Sequence, residues 1–300
     1  MSSLHQDPHW PRASGWAGAD IEQPAGCLKI IGAPLRLGSI TPGRCDLAPA
    51  AVRKALERYS PWDAAHNRSL GDLAVRDLGD LDVAGLSPEQ ALRPVRDAVE
   101  GALTGADAVI LLGGDNSVTR PGALGLPNCG VITFDAHFDL RDLDRGLTNG
   151  NPIRALLADG VPGTRIAQIG IQSFANSKAY GDVARAAGIT YFTAELVRSR
   201  GIEEVVAEAL ALMGDAPVYV DLDLDVLDRA FAPASPGSRP GGLSPAEVRA
   251  AARLCGAHPS VRVIDFVEID PEMDVRDATS LAAAACLLEF AAGVRERCSR

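Results

Sequence analysis

The chain has 300 residues, 47% hydrophobic and 23% charged, enough for a substantial core and ordinary for a soluble globular enzyme. A net charge of −10 with no basic run excludes a nucleic-acid partner or an acidic membrane surface, both of which need a positive footprint. Six scattered cysteines without CxxC spacing predict reduced thiols and a cytoplasmic protein, and neither a signal peptide nor a run of about eighteen apolar residues for a membrane span is read.

Residues 1–24, rich in Pro, Gly and Trp, read as an irregular arm ahead of one domain over 25–300. Short apolar or β-branched runs predict strands at 27–32, 74–78, 108–112, 130–134, 165–171, 189–192, 218–222 and 261–267. Helical patterns fall between them at 49–58, 88–104, 152–158, 177–187, 202–213, 245–255 and 280–292. Ser87 and Ser244, each followed by Pro, read as N-caps. Strands alternating with helices predict parallel βαβ units, hence a mostly parallel α/β sheet.

The polar motifs fall where strands end. Gly113-Gly-Asp-Asn116 follows one strand and Asp135 to Asp139 the next. Gly170 to Ser173 follows a third, Asp221 to Asp228 closes a fourth and Glu268 a fifth. In a parallel sheet these ends share one edge, which is where α/β proteins bind ligands.

Asp135, His137 and Asp139 stand at alternate positions, as do Asp223 and Asp225, so in extended backbone each set points one way. A single DxD is explained as well by turns and helix caps. A DxHxD beside a DxD is read as a metal site. Four carboxylates and one imidazole suit a divalent ion, with Mn2+ the best match, and so many buried charges require cations. Two ions about 3.5 Å apart would share bridging carboxylates and acidify a water between them. His5 and His9 lie in the arm, and His66 and His258 in turn-like surroundings, so a His-rich or Cys-rich zinc site is not expected.

Taken together, Gly113-Gly-Asp-Asn-Ser117, Phe134-Asp-Ala-His-Phe-Asp139, Asp223-Leu-Asp-Val-Leu-Asp228, Phe231-Ala-Pro233 and Glu268-Ile-Asp-Pro271 resemble the ureohydrolase (arginase/agmatinase) superfamily. The resemblance runs from about Lys29 to Ala292. It implies an arginase-like three-layer α/β/α sandwich with about eight strands, a catalytic domain over 25–300, and trimers or hexamers. It implies a di-manganese site in which Asp135 and Asp223 bridge both ions, His137 and Asp225 complete one, and Asp139 serves the other. A hydroxide between the ions would attack an amidine or guanidine carbon, Asp139 would help hold the tetrahedral intermediate, and Glu268 would pair with the cationic substrate.

Two positions depart from that pattern. Asn116 stands where the family usually has a metal-binding His, and Asn149 where its guanidine hydrolases commonly have a proton-shuttling His. Asn116 can offer a neutral carbonyl oxygen or leave the place to water, and in either case one Mn2+ should be held more weakly. These departures, with the segments 148–154, 174–180 and 274–280, are most similar to the formimidoylglutamase branch. That branch implies hydrolysis of N-formimidoyl-L-glutamate to L-glutamate and formamide, in histidine degradation. A substrate with two carboxylates requires a cationic rim, for which Arg141 and Lys178 are the first choices, ahead of Arg145, Arg154 and Arg276. Asn149 and Glu268 complete the substrate-binding set. Asp221 is expected to bond loop backbone, and Asp115 and Asp228 to brace the loops. The alternatives are a urea-releasing agmatinase or arginase, and a metal-poor binding protein of the same fold.

Overall fold

Eight apolar runs form one wholly parallel sheet in the computed structural model, which describes residues 7–16, 21 and 24–299. In chain order the strands are β1 (Gly26–Ala33), β2 (Leu73–Asp80), β3 (Ala108–Gly113), β4 (Gly130–Phe134), β5 (Ile166–Ile171), β6 (Thr190–Thr193), β7 (Val218–Asp223) and β8 (Val261–Val267). Their spatial order is β2-β1-β3-β8-β7-β4-β5-β6. Strands β3, β4, β5 and β7 are buried along their whole length, as a sheet covered on both faces demands. Edge strand β2 instead exposes Arg76 to Asp80, charges that discourage pairing with another chain.

Side chains alternate between two cores. Along β3, Ala108, Ile110 and Leu112 enter one core, while Val109 and Leu111 enter the other. The first core packs against α1 (Ala48–Ala55), α6 (Ala194–Arg200), α7 (Ile202–Leu212), α8 (Pro245–Ala257) and α9 (Ala278–Cys298). The second packs against α2 (Pro88–Leu103), α3 (Thr119–Leu124), α4 (Pro152–Ala158) and α5 (Lys178–Ala187). The result is the expected three-layer sandwich. Ser87 and Ser244 each close a capping box, with Gln90 and Glu247.

The differences from the sequence reading have local causes. Helices α3 and α6 have six and seven residues, too few to display a period. A two-residue hairpin, Trp62–Asp63 with Arg68–Ser69, was not predicted either. Within the arm, a short 3-10 turn at Ala13–Gly15 packs onto the core. Trp16 is buried there and its indole N–H donates to the Leu73 carbonyl at 3.0 Å. Helix α9 extends six residues beyond the predicted end and is long and apolar enough to cross a membrane. It is nevertheless a core helix, with 67% of the apolar window buried against its neighbours.

Candidate metal centre

The four strands that carry the acids are adjacent, β3-β8-β7-β4, and each releases its loop at the same edge. After β3, Gly114 crosses so close to Leu35 that an added Cβ would lie 1.8 Å from its carbonyl oxygen. Only glycine allows that crossing, which aims Asp115 and Asn116 inward. After β4, Asp139 has a φ of 51°, and after β8, Glu268 has a φ of 61°. Left-handed backbone at non-glycine residues is strained, and such strain gathers at functional sites.

Asp135, His137 and Asp225 present ligand atoms that all lie within 4.8 Å of one another. His137 Nδ1 sits 2.8 Å from Asp225 Oδ2 and 3.4 Å from Asp135 Oδ1. Short backbone bonds set the carboxylates: His137 N–H donates to Asp135 Oδ1 at 2.6 Å, Ala136 N–H to Asp225 Oδ1 at 3.0 Å, and Asp225 N–H to Asp223 Oδ1 at 2.8 Å. Asp135 Oδ2 is buried and has no partner. Across the cluster lie Asp139 and Asn116, whose side-chain nitrogen donates to Asp139 Oδ2 at 2.7 Å. A Cβ on Gly237 would come 2.1 Å from Asp225 Oδ2, so this loop closes directly over the acids.

The electrostatics show a site short of positive charge. Burial, then the Asp225 charge, raises Asp135 to about 7. Burial and neighbouring aspartates push Asp139 and Asp223 well above the usual carboxylate range. Burial would raise Asp225 too, but the His137 charge and hydrogen bonds outweigh it and hold it low. His137 is pushed up to about 12, chiefly by Asp225. One imidazolium cannot neutralise four carboxylates. Divalent cations bound by this hard oxygen and nitrogen set would, and the residues therefore fit manganese.

Glu268 is buried and raised to about 8 by burial and the Asp115 charge. Its Oε1 accepts from the Asn116 backbone N–H at 2.7 Å and from Asn149 Nδ2 at 3.0 Å. Asn149 Oδ1 in turn accepts from Ile40 N–H, linking Glu268 to the loop after β1. These groups line a cavity of about 160 Å³. A larger cavity of about 620 Å³, between the hairpin, α8 and α9, lacks the acid cluster.

Of the predicted site residues, Asp139, Arg141, His137, Asn149, Asp223, Asp225 and Glu268 line the smaller cavity; Asp135 and Asn116 lie against them. Lys178 does not. Its ammonium pairs with Asp182 at 2.7 Å on the outer face of α5. Arg154 pairs with Asp142, and Arg145 and Arg276 do not line the cavity. Asp228 braces its loop through the N–H groups of Ala230 and Gly241, and Asp115 binds Ser117, as expected. Asp221 departs from expectation: both its oxygens are buried and bond no backbone, because its strand position faces Asp265 on β8.

Three features were missed. Arg239 lines the cavity from the loop over the acids, its Nη1 donating to the Gly237 carbonyl at 2.5 Å. Asn176 clamps the loop that carries Asp135, His137 and Asp139, accepting from Phe138 N–H and donating to the Ala136 carbonyl. It lies within the 174–180 segment, which was the available signal. Thr119, Tyr219 and Asp265 form a buried network beneath Asn116.

The arginase family model matches residues 28–293. The chain belongs to the arginase family. Formimidoylglutamase of Bacillus subtilis (strain 168) is 34% identical over 93% of this chain and 90% of that relative. The crystal structure of formimidoylglutamase from Bacillus subtilis subsp. subtilis str. 168 superposes with a TM-score of 0.89 at 31% identity, over 98% of this chain and 94% of that one. Trypanosoma cruzi formiminoglutamase, solved with Mn2+2, gives a TM-score of 0.87 at 25% identity, over 96% and 99%. Within the arginase family, then, the acid cluster lies at the sheet edge where the motif predicted it, with the Asn116 and Asn149 amides bonded to its Asp139 and Glu268 carboxylates.

Proposed function

We propose that this chain is a manganese-dependent hydrolase of a linear amidine, converting N-formimidoyl-L-glutamate and water into L-glutamate and formamide. The observation that carries the reading is the charge pattern of the cavity: acids at its floor and two arginines at its rim. Among the described residues, neither Arg141 nor Arg239 has a carboxylate partner, although the cavity they line is strongly acidic. A cationic amidinium fits the floor and a dicarboxylate tail fits the rim. Agmatine, which has no carboxylate, gains nothing from those arginines. The formimidoylglutamase and formiminoglutamase names of the relatives support the same choice.

Two manganese ions would be held here. Asp135 and Asp223 would be shared, His137 and Asp225 would complete one position, and Asp139 with Asn116 the other, less tightly because Asn116 is neutral. Bound manganese would supply Lewis acidity and a lowered pKa for water. The chain's own residues do the rest. Glu268 Oε1 is occupied by two N–H donors, leaving Oε2 to accept from the amidinium. Asn149 fixes that carboxylate without titrating, so it positions substrate and moves no proton. Asp139 lines the same cavity and can hold the proton that the departing glutamate nitrogen takes when its C–N bond breaks. Arg141 and Arg239 orient the carboxylates and help exclude substrates with cationic tails.

A substrate panel with manganese tests this. Formamide and L-glutamate should appear together from N-formimidoyl-L-glutamate, with no urea from agmatine or L-arginine. Urea release without formamide would contradict the assignment.

A further inference from the structure

Beneath the metal cluster, four side chains form a buried line from the sheet to Asp139. Tyr219 OH donates to Asp265 Oδ2 at 2.5 Å, and the Leu222 N–H donates to Asp265 Oδ1 at 3.1 Å. Thr119 Oγ1 lies 2.9 Å from Asp265 Oδ2 and 2.5 Å from the Asn116 side-chain oxygen. Asn116 Nδ2 faces Asp139. Asp265, Thr119, Tyr219 and Asn116 are all at most 1% exposed, so water cannot relieve a mismatch.

Counting hydrogens exposes one. Thr119 has a single hydroxyl hydrogen but two acceptors, a carboxylate and an amide oxygen. A hydrogen bond to a carboxylate is about twice as strong as one to a neutral carbonyl, so Asp265 takes the hydrogen. Thr119 Oγ1 then offers only lone pairs towards Asn116, which must present N–H. The oxygen and nitrogen of an amide have the same shape, and the hydrogen network decides which is which. Turning the amide over gives the Thr119 hydroxyl one acceptor, Asp265, and one donor, the Asn116 N–H. It also points the carbonyl oxygen, a metal ligand, at Asp139.

We propose that the buried Tyr219–Asp265–Thr119 chain orients the Asn116 amide with its carbonyl oxygen towards Asp139, making Thr119 a positioning residue for the more weakly held manganese. The inference rests on the two-ion reading above. It assigns the selectivity of one metal position to residues that touch neither metal nor substrate.

Manganese titration of the full chain, read by metal analysis, calorimetry and the electron paramagnetic resonance of coupled ions, tests it. The wild-type chain should bind two ions. Thr119→Val should keep one ion at wild-type affinity and weaken the other by about 10- to 100-fold, the usual effect of losing a partner behind a metal ligand. Thr119→Ser should restore it. Asp265→Asn offers its own N–H to Thr119, returns the threonine hydrogen to Asn116, and should weaken the same ion without emptying the core. In an Asn116→Asp background both faces carry oxygen, so Thr119→Val should cost little. The retained tight ion and an unchanged melting curve certify folding; should Thr119→Val not fold, Asp265→Asn carries the test. Unchanged affinities in both variants, or equal losses with and without the Asn116→Asp change, would overturn the inference. A wild-type chain binding fewer than two ions would instead overturn the two-ion reading.

Discussion

Two charge clusters in this molecule invite comparison. At the α8–α9 face, Arg253 reaches three carboxylates: Asp63 at 2.8 Å, Glu289 at 2.9 Å, and Glu296. Arg249 adds a second cation to Glu289. Burial would raise Asp63, but bonds from Arg253 and His66 outweigh it and its carboxyl is held low, while the same acids raise the Arg253 guanidinium. In that cluster every carboxylate has a guanidinium partner. At the sheet edge, Asp135, Asp139, Asp223, Asp225 and Glu268 share one imidazole, and all but Asp225 are raised. The direction of the shifts separates a cluster that fastens elements together from one arranged to receive cations.

The comparison can be broken in graded ways. Asp223→Asn removes a carboxylate from the unbalanced cluster, and formamide release should fall by more than about 1000-fold, several kcal/mol of lost Lewis-acid assistance. A smaller change would mean that the acids do not hold the reacting ions. Next in size, Arg141→Ala and Arg239→Ala should each raise KM by about 10- to 100-fold with little change in kcat, the loss of one charge-assisted contact. Lys178→Ala, a surface pair, should stay within about twofold. Steady-state kinetics on the three variants separates rim from surface, and a kcat loss for either arginine would place it in the chemistry. Arg253→Met should lower stability by about 2 kcal/mol in urea denaturation and leave KM alone. An altered KM there would make the paired cluster part of the site.

Much of this was legible in the sequence because the signals are local. The central strands are short, mainly apolar or β-branched runs, and the acids stand in contiguous alternating motifs at strand ends. Helices α3 and α6 were too short to show a pattern, and the end of α9 carries the charged run Arg295 to Arg297 in sequence, although Arg295 and Glu296 pair with Asp72 and Arg253. Lys178 looked like a rim cation because of its loop, yet the carboxylate four residues on, Asp182, was visible and is its partner. Arg239 was hidden in a Pro- and Gly-rich segment with no period. Asp265 and Tyr219 read as strand and Thr119 as an unassigned position, since only the register of β7 against β8 brings them under Asn116.

The pH dependence of stability follows from the same imbalance. In the folded chain Asp135 and Glu268 bind protons up to about 7 and about 8, above their unfolded values. With more protons bound in the folded state, their contribution to stability is complete below about pH 4 and is lost as pH rises through those values. Bound manganese should restore what deprotonation removes. The most direct test is the melting temperature of chelator-treated protein at about pH 5.5 and about pH 8.5, with and without Mn2+. Mn2+ should raise the melting temperature by about 5 °C or more at the higher pH and much less at the lower. A melting temperature indifferent to Mn2+ at both would contradict the reading of these acids as a metal centre.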